Sequence, residues 1–443
     1  MRKQTHWLCA ALILSFAVSA AAQEYTSRQE VLQNEELRRD FNIQGEYLAT
    51  AEGHSVGLHL IADGGGKFRF VAYVGGLPGE GWKRGEPRVL GTAVLDGDTI
   101  IFDLAEQRDL QPPVDSAKGE VRGTITFPQR PQGERQQGEQ GARQQGGQGQ
   151  ARGVPVRIET PASGERPAFV FEKQNRRSET LNQRVPEGAV VIFDGTNLDK
   201  FRDGARINEV PVPQREGAEQ QGQRRNQNTL WAEAATTAFE KKPYTMHVEF
   251  MLSYMPQARG QARSNSGVYI DERYELQVLD SFGLEGRDNE CGGFYQFAGP
   301  IVNMCFPPLT WQTYDIDFTP ARWDGDRKIA NARVTVKHNG VLIQDNLELK
   351  NHTPGRRNEG PEPLGLYLQG HGNKVQYRNI WIQYKDWEPL TQAVPLPAEV
   401  TQEATVAVAK AEEEPATIEE LQRNSSSSAP RVQFPRFRYV RQR

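Results

Sequence analysis

Cysteine is nearly absent, with three in 443 residues. That excludes a dense disulfide scaffold and a four-thiolate zinc site. Charge of one sign is also lacking: 53 Lys and Arg face 57 Asp and Glu, for a net charge of −4. Without a broad basic field the chain has little to hold a phosphate backbone, so nucleic acid is not an expected partner. Apolar residues make up only 37%, which leaves part of the chain outside any core. No Gly-x-Ser-x-Gly elbow and no His-Glu-x-x-His occurs, which removes the basis for a serine triad or a zincin. Gly64-Gly65-Gly66 lacks the strand-to-helix setting of a phosphate loop. Beyond the first residues no apolar run approaches the ~20 residues a spanning helix needs, so the mature protein is expected to have no transmembrane segment.

The first residues have the three-part order of a secretory signal. Arg2 and Lys3 are followed by an apolar stretch from Trp7 to Val18, then by Ala20-Ala21-Ala22 before Gln23. Export to the periplasm or the extracellular medium is expected, with residues 1–22 removed. In that oxidising setting the remaining cysteines, Cys291 and Cys305, are expected to pair as a disulfide.

Composition divides the rest. Residues 23–44 are polar and helix-compatible, a short lead-in. Residues 45–175 hold short Val-, Ile- and Phe-rich runs: 56–61, 67–74, 91–95, 99–104, 120–127 and 168–172. Turn signals such as Asp63-Gly64-Gly65-Gly66 and Asp96-Gly97-Asp98 separate them, so a small antiparallel β domain is expected. Residues 128–153 are almost all Gln, Gly and Arg and are expected to be a disordered insertion, with a second at 214–228. Residues 388–443, rich in Pro, Ala, Glu and Ser, read as a disordered tail.

Residues 185–387 alternate with period two. Val248, Phe250 and Leu252 alternate with His247 and Glu249; Leu276 and Val278 with Glu275 and Gln277; Leu366 and Leu368 with Tyr367 and Gln369. Many such strands, frequent turns and no strong helix argue for an all-β, two-sheet sandwich. The same parity turns Glu249, Glu275, Gln277, Tyr367, Gln369 and His371 away from the apolar layer. Carboxylates, amides and aromatic rings on one face suit a sugar; an ordinary solvated sheet face fits the alternation too. The loops favour the groove. Asn265-Ser266-Gly267 leads into a strand, Asn303 lies in a long Gly-rich connection, and His371 stands between Gly370 and Gly372. Glycine beside a polar residue lets a ligand approach the backbone.

Six segments in order resemble one family. Val191 to Leu198 (VIFDGTNL), Asn265 to Ile270 (NSGVYI), Tyr274 to Asp280 (YELQVLD), Trp311 to Asp315 (WQTYD), His338 to Leu342 (HNGVL), and Leu368 to Asn373 with Tyr377 to Ile380 are similar to motifs of the 3-keto-disaccharide hydrolase domain family. The resemblance spans about 185–387 and leaves the first β domain and the tail uncovered. It implies a concanavalin A-like jelly roll, with a 3-keto-glycoside as the carbohydrate substrate. The C3 ketone acidifies the C2 proton; a base removes it, the aglycone leaves C1, and water can add to the enone for net hydrolysis. A metal or a cationic donor on the developing enolate would assist.

Under that reading Glu275 is the expected base or metal ligand, and His371 the other catalytic or ligand group. Asp280 is a further ligand candidate for a divalent metal, although its parity differs from that of Glu275. Asn265, Gln277, Asn303, Tyr367, Gln369, Arg378 and Asn379 are candidate sugar contacts. The family's acidic residue before this histidine is Gly370 here. Two other functions stay open: a non-catalytic carbohydrate-binding jelly roll, and an envelope scaffold built from two β domains.

Overall fold

A computed structural model describes residues 22–51, 53–104, 120–127, 156–162, 168–210 and 228–387. Residues 1–21 of the expected signal, 128–153, 214–227 and the tail 388–443 lie outside the described residues.

The lead-in is two short helices, Arg28–Gln33 and Glu35–Ile43. Ser27 starts the first with a capping box: its hydroxyl accepts the Glu30 N–H at 3.3 Å, and the Glu30 carboxylate accepts the Ser27 N–H at 3.2 Å. Val31, Phe41 and Ile43 are buried and join the core of the first β domain.

The antiparallel strands expected there form a closed eight-stranded barrel among the described residues. Gly45–Ala51 pairs on one side with His54–Gly64 and on the other with Phe169–Gln174, which closes the ring and leaves no open edge. Side chains fill its interior, among them Tyr47, Leu58, Leu60, Phe68, Phe70, Ile100, Phe102 and Ile158. Gly91 is needed in that packing, since a Cβ there would lie 2.3 Å from the Asp103 carbonyl and 2.5 Å from the Phe70 ring. Both anticipated Gly turns join adjacent strands, with Gly64, Gly65, Gly66 and Gly97 all at positive φ.

The second domain is the expected sandwich. Eight strands form one sheet and five the other among the described residues, packed as a jelly-roll-like β sandwich. Met246, Val248 and Phe250 from strand Tyr244–Met251 meet Val268, Ile270, Leu276 and Val278 from strands Ser266–Ile270 and Tyr274–Val278. These side chains are fully buried, and each contributes roughly 1.5–3 kcal/mol of hydrophobic stabilisation.

The barrel is fastened to one end of the sandwich. Tyr254 and Leu309 complete the barrel core, while Ile61, Val71, Tyr73 and Trp82 of the barrel join the sandwich core. Around this apolar contact, Arg84 donates to the carbonyls of Pro300 and Gly286, both at 2.7 Å. No helix among the described residues is long and apolar enough to cross a membrane.

Candidate active site

The outer face of the five-stranded sheet carries the groove candidates. Strand pairing sets Ala235, Tyr367, Tyr269 and Glu275 in one row across four strands. A bridge between Leu276 and Phe294 brings the 286–299 connection alongside, and the Tyr295 N–H donates to the Glu275 carbonyl at 3.3 Å. Tyrosines 367, 269 and 295 therefore share the row with the one carboxylate, Glu275. In the next row Gln369 adjoins Gly267, which pairs with Gln277.

Glu275 is only 4% exposed. Its carboxylate lies over Gly267, where a Cβ would come within 2.5 Å of Oε1. Its other oxygen, Oε2, accepts the Tyr269 hydroxyl at 2.9 Å. Burial raises the carboxyl to about 7 and the Tyr269 hydrogen bond only partly opposes that. A carboxyl balanced near neutral pH in a polar recess suits proton transfer. Tyr269 also donates to the Pro354 carbonyl at 3.1 Å and accepts Gln369 Nε2 at 3.4 Å. The remaining amide oxygen of Gln369 is buried without a partner. Gln277 Nε2 donates to Asn265 Oδ1 at 2.8 Å, in the row next to that of Tyr367 and Glu275.

The 353–357 loop forms the distal wall. Gly355 comes so close to Tyr269 that a Cβ would lie 2.7 Å from its hydroxyl. The next residue, Arg356, lies over the Tyr367 ring at 3.9 Å. Its guanidinium pairs with Glu272 at 3.2 Å, while its Nε is buried without a partner. Glu272 is fully buried and also binds Arg202 at 2.8 Å. It sits with Asp271 in the turn between two groove strands, both at positive φ (46° and 52°), a conformation non-glycine residues rarely adopt.

Several expected site residues are elsewhere. Asp280 is turned away from Glu275 into a 2.5 Å ion pair with Arg263, beside the barrel's Asp63. His371 is exposed on the loop after strand Tyr367–Leu368, without a hydrogen-bond partner among the described residues. The three proposed metal ligands are thus not assembled, and no group of three His, Cys, Asp or Glu able to hold a metal occurs among the described residues. The residues present do not fit a metal at Glu275. Asn303 is a loop brace, donating to the carbonyls of Ser281 and Leu284 at 2.8 and 3.0 Å. The expected disulfide is also corrected. Cys291 and Cys305 are buried free thiols that hydrogen-bond to each other without a covalent link, and they also meet the Tyr314 hydroxyl at 3.1 Å and the Leu279 carbonyl at 3.5 Å.

Arg378 and Asn379 lie on the opposite side of the sandwich, on the outer face of the larger sheet. Both bind Glu249, at 2.8 and 2.9 Å. His247 is 2.6 Å from Asp315 and stacks on Trp381, and the Asn182 N–H closes over Glu249 at 2.5 Å. Burial works against ionising Glu249, but His247, Arg378 and Asn379 outweigh it and hold the carboxyl near 2. This network ties segment 178–183 to the sheet, so Glu249, Arg378 and Asn379 are structural. At Gly370, where the family pattern has an acid, Glu233 crosses the vacancy: a Cβ at 370 would lie 3.2 Å from the Glu233 carboxyl carbon.

Tyr269 and Gly267 were not singled out by parity, although both stand in the NSGVYI segment on the Glu275-facing register. Arg356 belongs to an irregular loop with no periodic signal.

Residues 188–383 match the model of the 3-keto-alpha-glucoside-1,2-lyase-like domain. The chain is also similar to two solved structures from Parabacteroides distasonis ATCC 8503, each described as a "putative glycosyl hydrolase". Identities are 24% and 16%, TM-scores 0.36 and 0.23, covering 45% and 47% of this chain and 85% and 93% of those chains. No curated protein matches the sequence. Over residues 188–383 the sandwich is similar to the 3-keto-alpha-glucoside-1,2-lyase-like domain family.

Proposed function

We propose that the sandwich cleaves 3-keto-α-glucosides by elimination, with Glu275 as the base. The observation that carries this reading is the Glu275 carboxylate, buried in a recess of tyrosines and amides and raised to about 7. A carboxylate of that basicity is matched to a proton made acidic by a neighbouring ketone. Glu275 takes the C2 proton. The C2–H electron pair forms the C2–C3 double bond and the carbonyl pair moves onto O3. When that pair returns to restore the ketone, the double bond shifts to C1–C2 and the C1–O bond breaks. The aglycone leaves with the bonding pair and takes a proton from water, whose hydroxide is neutralised by the proton Glu275 releases, leaving a 2-hydroxy-3-keto-glucal to which water can add. Tyr269 holds the carboxylate in line and Gln369 offers its amide to a sugar hydroxyl, while the Asn265 amide, held by Gln261 and Gln277, braces the neighbouring row.

The test is release of a chromogenic aglycone from a 3-keto-α-glucoside, followed together with enone absorbance. Wild-type turnover that disappears in Glu275→Gln, with the fold retained, supports the reading. Saturable sugar binding without any product favours a carbohydrate-binding module instead. Glu275→Gln turning over at the wild-type rate removes the base assignment. His371→Ala tests the exposed histidine: unchanged turnover takes it out of the chemistry.

A further inference from the structure

We infer that Arg356 supplies the positive charge that stabilises the enolate oxygen formed when Glu275 removes the C2 proton; this rests on the elimination reading above. A carbon acid beside a ketone is far weaker than a carboxyl near pH 7, so the base alone cannot hold the proton. Charge must be met at O3 as it develops. The metal expected for that task does not fit, because Asp280 is committed to Arg263 and His371 stands apart on an exposed loop.

Arg356 has the required placement. Its loop closes on the Glu275 partner: the Pro354 carbonyl accepts the Tyr269 hydroxyl that also binds Glu275, and Gly355 permits the approach. The guanidinium carbon lies 3.9 Å from the centre of the Tyr367 ring, and Tyr367 pairs with Tyr269 in the same row. One edge is fixed by Glu272 at 3.2 Å, while Nε–H is buried with no acceptor. A desolvated donor without a partner is unfavourable unless something fills the vacancy. The rest of the guanidinium is reachable, because the Arg356 side chain is 26% exposed, and an anionic oxygen can meet it beside Tyr367. Glu272 is held in turn by Arg202, in a turn whose positive-φ residues show that its position is maintained against backbone preference. In the step proposed above, the carbonyl pair that moves onto O3 meets the Arg356 donors. It returns from them when the C1–O bond breaks, so no oxidant or further reactant is needed.

The experiment compares the full chain with Arg356→Gln and Arg356→Lys on the 3-keto-α-glucoside, measuring kcat, KM and C2 hydrogen exchange in D2O. Removal of one such donor lowers kcat by about 10²–10³-fold. The expected result is that loss in Arg356→Gln, with KM changed less than about threefold, slowed C2 exchange, and partial recovery in Arg356→Lys, which keeps the charge. Thermal melting verifies that each variant folds; should Arg356→Gln not fold, Arg356→Lys alone must still show a reduced kcat and slowed exchange. An active wild type with both variants at the wild-type kcat overturns the Arg356 assignment alone. A folded wild type inert toward 3-keto-α-glucosides overturns the elimination reading and this inference with it.

Discussion

The Tyr269 hydroxyl donates to Glu275 Oε2 at 2.9 Å, while Glu275 Oε1 rests over the bare α-carbon of Gly267. The two residues face each other across adjacent strands, so the sheet register fixes the angle at which the carboxylate is presented. A pairing of this kind gives a base with one oxygen anchored and the other set against a surface without a side chain.

The first prediction concerns pH. Burial raises the folded Glu275 carboxyl to about 7, above its ordinary 4.5. The folded state thus binds more protons than the unfolded chain between these values, and stability falls as pH rises through that window. Glu275→Gln removes the burden, so at pH 8 the variant should be more stable than wild type by about 1–3 kcal/mol, and at pH 4 nearly equal. Turnover by wild type should rise with pH through about 7, as the base ionises. Denaturant melts at both pH values and a kcat profile check the two arms. A wild-type profile flat across that range would remove Glu275 as the base.

The second prediction isolates Gly267. Its backbone is ordinary strand, so alanine meets no φ penalty, but the added Cβ would lie 2.5 Å from the Glu275 carboxylate. Gly267→Ala should lose roughly 1–3 kcal/mol of stability to overpacking. Its kcat should fall more than tenfold because the carboxylate is displaced. Wild-type turnover in a folded Gly267→Ala protein would show that this placement is not required.

What could be read from the sequence follows from regularity. The period-two rows placed Glu275, Gln277, Tyr367 and Gln369 on one face, because parity survives in any regular strand. Glu249 obeys the same rule, but its strand belongs to the other sheet, and its outward face is sealed by segment 178–183 rather than opened to a ligand. Parity alone does not say which sheet a strand joins. Asp280 lies just past its strand, where alternation ends and the Arg263 ion pair decides the direction. Arg356 reaches Tyr367 through an irregular loop, and the closure of the first domain into a barrel depends on pairing strands more than a hundred residues apart. Neither contact leaves a periodic signal in the sequence.

The third prediction separates the buried network of the larger sheet from catalysis. Glu249→Ala leaves Arg378 without its carboxylate and His247 beside Asp315 alone. Breaking one partner of a buried pair destabilises by about 3–5 kcal/mol. The folded fraction should keep wild-type kcat, because these residues stand behind the sandwich core from Glu275. Protonation gives the same result by pH. Glu249 titrates near 2 when folded against an ordinary 4.5, so its contribution is complete above the ordinary value and fades as pH falls toward 2. Although burial disfavours its charge, His247 is raised by Asp315 and Glu249, so its contribution is present in acid and is lost as pH rises through the elevated value. A drop in kcat without loss of stability in Glu249→Ala would put this network into the reaction.

The last prediction addresses the thiols. Cys291 and Cys305 are both buried free thiols in hydrogen-bond contact with each other, with the Tyr314 hydroxyl and the Leu279 carbonyl as further partners. A thiol-specific reagent should therefore leave both unmodified in the native protein, since access requires opening of the core. After denaturation without reductant both should react, and intact mass should show neither lost hydrogen. Replacing the pair with Ser puts two hydroxyls among apolar side chains. Cys291→Ser keeps a partner in Tyr314, and Cys305→Ser keeps the Leu279 carbonyl, so each should cost no more than about 1–2 kcal/mol. An intact disulfide would behave differently in every readout: no thiol after denaturation, a mass lower by two hydrogens, and a larger destabilisation of ~2–5 kcal/mol when either partner is removed.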